Sequence, residues 1–435
     1  MKLKRVLIIT YYWEPAGGGG VQRWVKFVKY LREFGWEPVV YTVSNGDYPI
    51  LDPTLAAEIQ NDIEVIKTPI WEPFDLYKRF TGKKKEQKMD ANFLSEGKKW
   101  RLKDKLAVFV RGNFFIPDAR RFWIKPSVQF LTTYLKGQPV DAVISTGPPH
   151  SCHLIGLGVK EKFNLPWIVD YRDQWTQIDF YKELNLTWLA DKRHKYLERK
   201  VLDNCDRITP IGKTMGEDLI AISNTPYTVI TNGFDESDKA NLATVLDDKF
   251  TITYIGTMNN ARDPKVLWRA LAELKDEQHP LVQKVEVKLV GKIEESIKQS
   301  VAESKVEELV DFVGYVNHKE ALQIQNRAQI LLLVINKTWN NKSILTGKIF
   351  EYLASNRPVL CIGPKDGDAA EIINQAGSGL VVEYEEVAVV KEQLKNWYQS
   401  YLSNTLSTKS SNIDIYSRRS LTQKMATVLN EITTK

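Results

Sequence analysis

Apolar residues along this chain come in short, unbroken blocks, separated by segments in which apolar positions recur every three or four residues. The first block, residues 5–10, reads as a buried strand. A loop over 11–20 follows and ends in four glycines; Val21, Trp24, Val25, Val28 and Leu31 then recur at helical spacing. Gly35 marks a helix stop, and residues 38–42 read as the next strand. Strand, glycine-rich loop, helix and strand form a βαβ unit, which implies a parallel sheet. The pattern returns at 142–145 and 167–169, and 206–210 and 228–231 read as further short strands.

A second series follows the turn cluster Asn232-Gly233-Phe234-Asp235 and a polar stretch to Lys249. Residues 251–256, 285–290, 310–313, 330–335, 359–362 and 380–382 read as strands. Residues 264–274 read as a helix with proline in its first turn, and Asn317 with Glu320 three residues on marks another helix start. The expected fold class is α/β, with two doubly wound Rossmann-like domains. Ligands in such sheets sit beyond the carboxyl ends of the strands, which places the expected site in a cleft between the domains.

The chain has 435 residues, too many for one ordinary domain. The expected division is a first domain over 1–232, a second over 233–412 and a helical tail over 413–435 that packs back on the first domain. Residues 70–126 break the alternation. Phe74, Tyr77, Phe80, Phe93, Trp100, Phe109, Phe114, Phe115, Phe122 and Trp123 lie there among basic residues, and the region reads as a helical insertion. No apolar run approaches the roughly 20 residues that span a bilayer. Residues 1–10 superficially resemble a signal peptide, but Tyr11-Tyr12-Trp13-Glu14 stands where small residues would mark cleavage, so the first buried strand is the better reading.

Net charge is +6 and it is localised: from Lys78 to Lys105 there are eleven Lys/Arg against four Asp/Glu. Such a patch speaks about a partner more than about the fold. Cys152, Cys205 and Cys361 are far apart and form no Cys-x-x-Cys pair, which argues against a disulfide framework and for a reducing compartment. His150-x-x-His153 alone is a weak metal signal, and no metal is expected.

Four segments carry candidate chemistry. Gly17, Gly18, Gly19 and Gly20 leave a strand and enter a helix, where backbone N–H groups can face an anion. The loop lacks the third glycine of a dinucleotide fingerprint, since Gln22 stands there, and it lacks the Gly-Lys-Ser/Thr ending of a P-loop. His150 follows the strand at 142–145 and is equally well a structural histidine. Asp170, Arg172 and Asp173 follow another buried strand; carboxylates around an arginine are either a structural pair or a used site. Finally, Thr346, Gly347, Lys348 and Glu351 precede Leu353, Ala354 and the buried strand at 359–362. A cation and a carboxylate one helical turn apart suit a ligand with phosphates at one end and hydroxyls at the other, beyond the few tenths of a kcal/mol of a surface ion pair.

The Gly-rich loop after the first strand, Asn232-Gly233, Tyr254-Ile-Gly256, Phe312-Val-Gly-Tyr-Val316 and Lys348-Ile-Phe-Glu-Tyr-Leu-Ala354 followed by Arg-Pro-Val resemble, in this order, retaining glycosyltransferases of the GT-B fold, family 4. The resemblance covers nearly the whole chain. It implies a nucleotide-sugar donor held mainly by the second domain, an acceptor held mainly by the first, and no metal or other cofactor. By position, Glu351 matches the second glutamate of the family's Glu-x7-Glu motif, which binds the donor ribose. Lys348 lies where such enzymes approach the diphosphate, and the glycines at 17–20 lie beside diphosphate and sugar. Arg172 falls near a position often held by a histidine that touches the sugar, and Asn232 and Gly233 match the hinge. Ser343 stands where the first glutamate of the motif is expected. Thr257 replaces the arginine of the family's Gly-Arg, with Arg262, or else Lys265 or Lys292, as the replacement cation.

The expected activity is therefore sugar transfer from a nucleoside-diphosphate-sugar to an acceptor hydroxyl with retained configuration, in cell-surface polysaccharide or glycolipid synthesis. Lys348, Arg172 and Asp173 are the catalytic candidates. Gly17 to Gly20, Arg262, Lys292, Ser343, Thr346, Gly347 and Glu351 are candidates for the donor, and His150 and Asp170 for the acceptor or sugar side. The partners expected are the donor, a glycan or lipid-linked acceptor and an anionic membrane surface met by residues 74–125. The expected location is cytoplasmic, peripheral at the inner face of the plasma membrane. An epimerase or phosphorylase of the same layout is the first alternative. A nonenzymatic nucleic-acid-binding protein is the second, disfavoured because it needs neither the glycine loop nor Lys348 and Glu351.

Overall fold

A computed structural model describes residues 3–73, 102–236, 245–408 and 410–434. Most of the basic stretch before Leu102 thus lies outside the described residues. The chain forms two compact units, one of residues 1–232 with 418–435 and one of residues 233–417. The first crossing falls at Asn232/Gly233. The boundary between the second unit and the tail is at Ser417/Arg418, five residues beyond the end read from the sequence.

The first unit has a six-stranded parallel sheet in the order β3-β2-β1-β4-β5-β6, with β1 (Lys4–Ile9), β2 (Trp36–Val43), β3 (Glu64–Thr68), β4 (Ala142–Gly147), β5 (Trp167–Tyr171) and β6 (Arg207–Pro210). β1, β4 and β5 are buried at nearly every position, as a sheet covered on both faces requires. Its helices are α1 (Gly19–Leu31), α2 (Leu102–Phe114), α3 (Arg121–Gly137), α4 (Ser151–Phe163), α5 (Trp188–Asn204) and α6 (Lys213–Ile220). Two results differ from the sequence reading. The half-exposed strand β3, which carries Glu64 and Lys67, was not anticipated. Residues 228–231 form no strand; the isolated bridge to Ile208 of β6 is made by Tyr227, just before them.

The second unit repeats the plan with β7 (Phe250–Ile255), β8 (Val285–Val290), β9 (Val310–Gly314), β10 (Ile330–Val334), β11 (Val359–Ile362) and β12 (Gly379–Val382), in the order β12-β11-β10-β7-β8-β9, all parallel. Its helices are α7 (Lys265–Asp276), α8 (Glu295–Glu303), α9 (His318–Arg327), α10 (Lys348–Ala354), α11 (Asp368–Ala376) and α12 (Val387–Leu402). Asn317 caps α9, its Oδ1 accepting from Glu320 N at 2.9 Å. In each sheet the strand order reverses beside the unit's first strand, between β1 and β4 and between β7 and β10, and the loops leaving those strands carry much of the candidate chemistry, with Arg172 after β5 and Lys292 after β8 on neighbouring loops.

The last helix, α13 (Arg418–Thr433), belongs to the first unit. Its Leu421, Met425, Ala426, Val428, Leu429 and Ile432 join the first unit's core, and it packs along α1. Trp36 Nε1 donates to Asn430 Oδ1 at 3.2 Å, and Arg419 pairs with Glu33 at 2.7 Å.

Three adjacent strands of the second unit run into left-handed glycines: Gly256 (φ 130°) after β7, Gly291 (φ 123°) after β8 and Gly314 (φ 84°) closing β9. A Cβ on Gly291 would collide with the carbonyl of Gly256, and backbone cannot yield as a side-chain tip can. Gly291→Ala should therefore lower the stability of the second unit by about 1–3 kcal/mol, read as a shifted denaturant midpoint at unchanged slope.

Candidate functional site

In the second unit the candidate site is built where β7 and β10 end. Tyr254 is the last aromatic of β7, and its hydroxyl donates to Thr257 O at 2.7 Å, fixing the turn around Gly256. Lys348, the first residue of α10, extends its ammonium over the Tyr254 ring, 5.1 Å from the centroid, into the space that a Cβ on Gly256 would fill. The missing side chain at Gly256 is thus the seat of the lysine. Burial is the main cause that lowers the Lys348 ammonium to about 8; the Arg262 charge adds to the shift and Glu351 opposes it. Arg262 donates from Nε to Asn336 Oδ1 at 2.5 Å and from Nη1 to Thr257 O at 3.1 Å, which holds it toward the lysine. Two like charges are kept close in a partly desolvated place, an arrangement whose natural complement is a polyanion.

Two buried polar atoms near these residues in sequence have no hydrogen-bond partner: Thr346 Oγ1, two residues before Lys348, and Asn259 Oδ1, in the turn that leads to Arg262. Unpaired buried polar atoms are uncommon and call for an explanation. Glu351 lies one turn along α10 from Lys348 and is partly exposed. A Cβ on Gly347 would meet open space. Arg262, Lys348 and Glu351 are thus brought together, with Thr346 and Gly347 at the entrance to α10. Lys292 is exposed on the neighbouring loop, which is tied to this one through Met258 N to Lys292 O at 3.0 Å. Ser343 stands apart: it is buried, and its hydroxyl donates to Asn340 O at 2.9 Å, closing a turn. That geometry makes it a structural hydroxyl rather than a donor contact. Tyr254 entered the sequence reading only as part of the Tyr254-Ile-Gly256 motif, and Asn259 and Asn336 were not singled out; the position of the two asparagines just past the ends of β7 and β10 was the available signal.

In the first unit the four glycines have different reasons. Gly17 packs against Ile50 and Asp52, and its N–H donates to Ile50 O at 2.9 Å. Gly18 has φ 100° and precedes α1 without any side-chain cap. Gly19 faces open space, and a Cβ on Gly20 would collide with the Arg172 guanidinium. Arg172 follows β5. It donates from Nη2 to Pro148 O, its Nε is buried without a partner, and burial is the main cause that lowers its pKa. The start of α1 and Arg172 together make a positive recess.

Asp170 is not part of that recess. It is fully buried and accepts from Arg23 Nη2 at 2.8 Å and Nε at 3.3 Å, Trp24 Nε1 at 3.1 Å, Thr146 Oγ1 at 2.8 Å and Thr209 Oγ1 at 3.1 Å. The expectation of an acceptor or sugar contact at Asp170 is corrected to a structural role: its lone pairs are committed inside the core, and its arginine partner is Arg23 rather than Arg172. Asp173 is exposed beside Arg172. His150 is buried and stacked on Trp175 at 4.8 Å between centroids, and burial lowers its imidazole to about 4, so it is neutral at ordinary pH. Its Nδ1 has no partner. The loop after Arg172 is anchored to α5 by Trp175 Nε1 donating to His194 Nδ1 at 3.0 Å and by the Thr176 hydroxyl on Glu198.

Among the described residues no group of three or more His, Cys, Asp or Glu is placed to hold a metal ion. None of the described helices is long and apolar enough to cross a membrane.

Nearly the whole chain is similar in fold to several solved structures. Sucrose-phosphate synthase from Thermosynechococcus elongatus shares 15% identity at a TM-score of 0.60, covering 99% of each chain. WaaG, a glycosyltransferase involved in lipopolysaccharide biosynthesis, shares 14% at 0.57, covering 98% of this chain and 99% of its own. A putative UDP-N-acetylglucosamine 2-epimerase from Listeria monocytogenes shares 10% at 0.51, covering 99% and 96%. These likenesses establish the fold, two Rossmann-like domains of the GT-B class. No curated protein matches the sequence. Residues 236–412, almost all of the second unit, match the family of glycosyl transferases group 1, so the second unit carries that family's domain.

Proposed function

We propose that this enzyme moves a sugar from a nucleoside-diphosphate-sugar to an acceptor hydroxyl with retained configuration, the donor being held by the second unit. The observation that carries the reading is the Lys348 ammonium, seated over Tyr254 in the gap of Gly256 and kept beside Arg262. Such a pair stabilises negative charge that grows on a leaving diphosphate, and it does so without reorganising. In the reaction the bond between the anomeric carbon and the diphosphate oxygen breaks. The acceptor oxygen bonds that carbon from the same face, and the departing phosphate oxygen takes the acceptor proton. Glu351, one turn along α10, suits the ribose hydroxyls. The recess of Gly18, Gly19, Gly20 and Arg172 suits a second anionic or sugar contact in the first unit. The acceptor class that fits is a glycan or lipid-linked glycan, and no metal is required by these roles.

Thermal-shift titration with UDP-, GDP- and ADP-sugars tests the donor, and the anomeric configuration of the product tests retention. Failure of every nucleoside-diphosphate-sugar to bind would overturn the proposal. Glu351→Ala should raise the donor KM by roughly 10- to 100-fold while kcat stays near wild type, since a hydrogen bond to a charged group is worth about 1.5–3 kcal/mol. An equal loss in kcat instead would remove Glu351 from the ribose. The likeness to a putative epimerase motivates one control: incubation of the donor without acceptor, where a new sugar epimer would favour that chemistry.

A further inference from the structure

We infer that the edge of the first unit where α2 ends and α3 and α5 begin seats this protein on an anionic lipid surface. Trp188 is 70% exposed, Leu189 69%, Phe114 63% and Trp71 60%. Single exposed apolar residues need no explanation, but several large ones at one junction do. Side-chain contacts join the elements that carry them. Thr187 N donates to Asn113 Oδ1 at 2.6 Å, which ties the start of α5 to the end of α2 beside Phe114. Arg121 Nη1 donates to Phe114 O at 2.6 Å, which brings in the start of α3. Trp71 meets Phe122 edge-on, with centroids 4.7 Å apart.

Charge decides what covers this edge. The exposed rings carry cations: Lys192 Nζ lies 5.1 Å from the Trp188 ring centroid, and the guanidinium carbons of Arg193 and Arg121 lie 5.5 and 5.8 Å from those of Tyr196 and Phe122. Two carboxylates close to these rings, Asp191 and Glu72, are engaged within the fold. Asp191 takes Lys195 at 2.9 Å and the Tyr181 hydroxyl at 3.0 Å, and Glu72 takes Arg120 at 3.0 Å. Helix α5 is amphipathic in the same sense. Ala190, His194, Leu197, Val201 and Leu202 face the unit, while Trp188, Leu189, Lys192, Arg193 and Tyr196 are exposed. Indole and phenyl rings flanked by lysine and arginine are the composition of a headgroup-level anchor, in which rings enter the interface and cations meet lipid phosphates. The sequence reading assigned such a surface to residues 74–125. Its portion over 74–101 lies outside the described residues, and the structure adds α5, from a distant part of the chain.

Co-sedimentation of the full chain with vesicles tests the assignment without reference to sugar transfer. Vesicles of phosphatidylglycerol and phosphatidylcholine should bind the wild type at low salt, and phosphatidylcholine alone should bind it much more weakly. The variant F114E/W188E/L189E should lose binding by about tenfold or more, and K192E/R193E should lose the salt-sensitive part, each with an unchanged thermal melt. Equal binding to neutral and anionic vesicles, wild-type binding by either variant at an unchanged melt, or a dimer of the wild type that W188E/L189E dissolves would each overturn it. The last result would assign the edge to a second copy of the chain.

Discussion

Replacing Lys348 by alanine should lower kcat by two to three orders of magnitude, on the order of the loss seen when one preorganised charge-stabilising donor is removed from an active site. The expectation rests on where the ammonium lies. It is partly withdrawn from water, over Tyr254, in the space left by Gly256, so its charge is less screened than a surface charge. The pH dependence follows with a definite sign. The lysine sits near 8, lowered mainly by burial and then by Arg262. The charged form that a diphosphate needs is therefore present below about 8 and is lost above it. For the free enzyme, kcat/KM should fall on the alkaline side with a limiting slope of tenfold per pH unit. A bound diphosphate favours the protonated lysine, so kcat should hold to higher pH than kcat/KM. Lys348→Arg should retain part of the activity and lose that alkaline limb, because a guanidinium does not titrate there. Steady-state kinetics across pH on the three proteins checks all of this; full turnover in Lys348→Ala would remove the lysine from the mechanism.

Asp170→Ala should destabilise the first unit by about 3–5 kcal/mol, the usual cost of leaving one partner of a buried ion pair alone. Arg23 is fully buried and divides its donors between Asp170 and the carbonyls of Ile230 and Thr231, so the carboxylate is its compensating charge. Trp24, Thr146 and Thr209 would lose an acceptor at the same time. Asp170→Asn should cost less, because it keeps an acceptor oxygen while removing the charge. Denaturant unfolding followed by tryptophan fluorescence reads both variants. An Asp170→Ala protein with wild-type stability and depressed transfer would return this residue to the site.

The strands that the sequence revealed are uninterrupted buried runs such as β11, residues 359–362, or clean alternations such as β8, residues 285–290. The one it concealed, β3, is a half-exposed edge strand whose alternation is diluted by Glu64 and Lys67. Residues 228–231 carry strand-like composition but form no strand, and only Thr228 and Ile230 donate backbone bonds to β6, because composition reports propensity and not pairing. At the sites, local spacing was informative where the geometry is local. Lys348 and Glu351 lie one turn apart on α10, and Arg172 follows its strand. It failed where the partner is remote. The arginine that answers Asp170 is 147 residues away, not the one two positions on, and no local pattern contains that choice. The seat of Lys348 likewise depends on a left-handed glycine 92 positions earlier, in another strand's loop.

The return of α13 to the first unit has a consequence for synthesis. Residues 1–232 leave the ribosome before the second unit, but the helix that covers α1 and finishes their core is made after it. At ordinary elongation rates the intervening unit takes roughly ten seconds or more to emerge. For that interval the apolar surface meant for Leu421, Met425 and Leu429 stays open, and the first unit reaches its full stability only after the second has been translated.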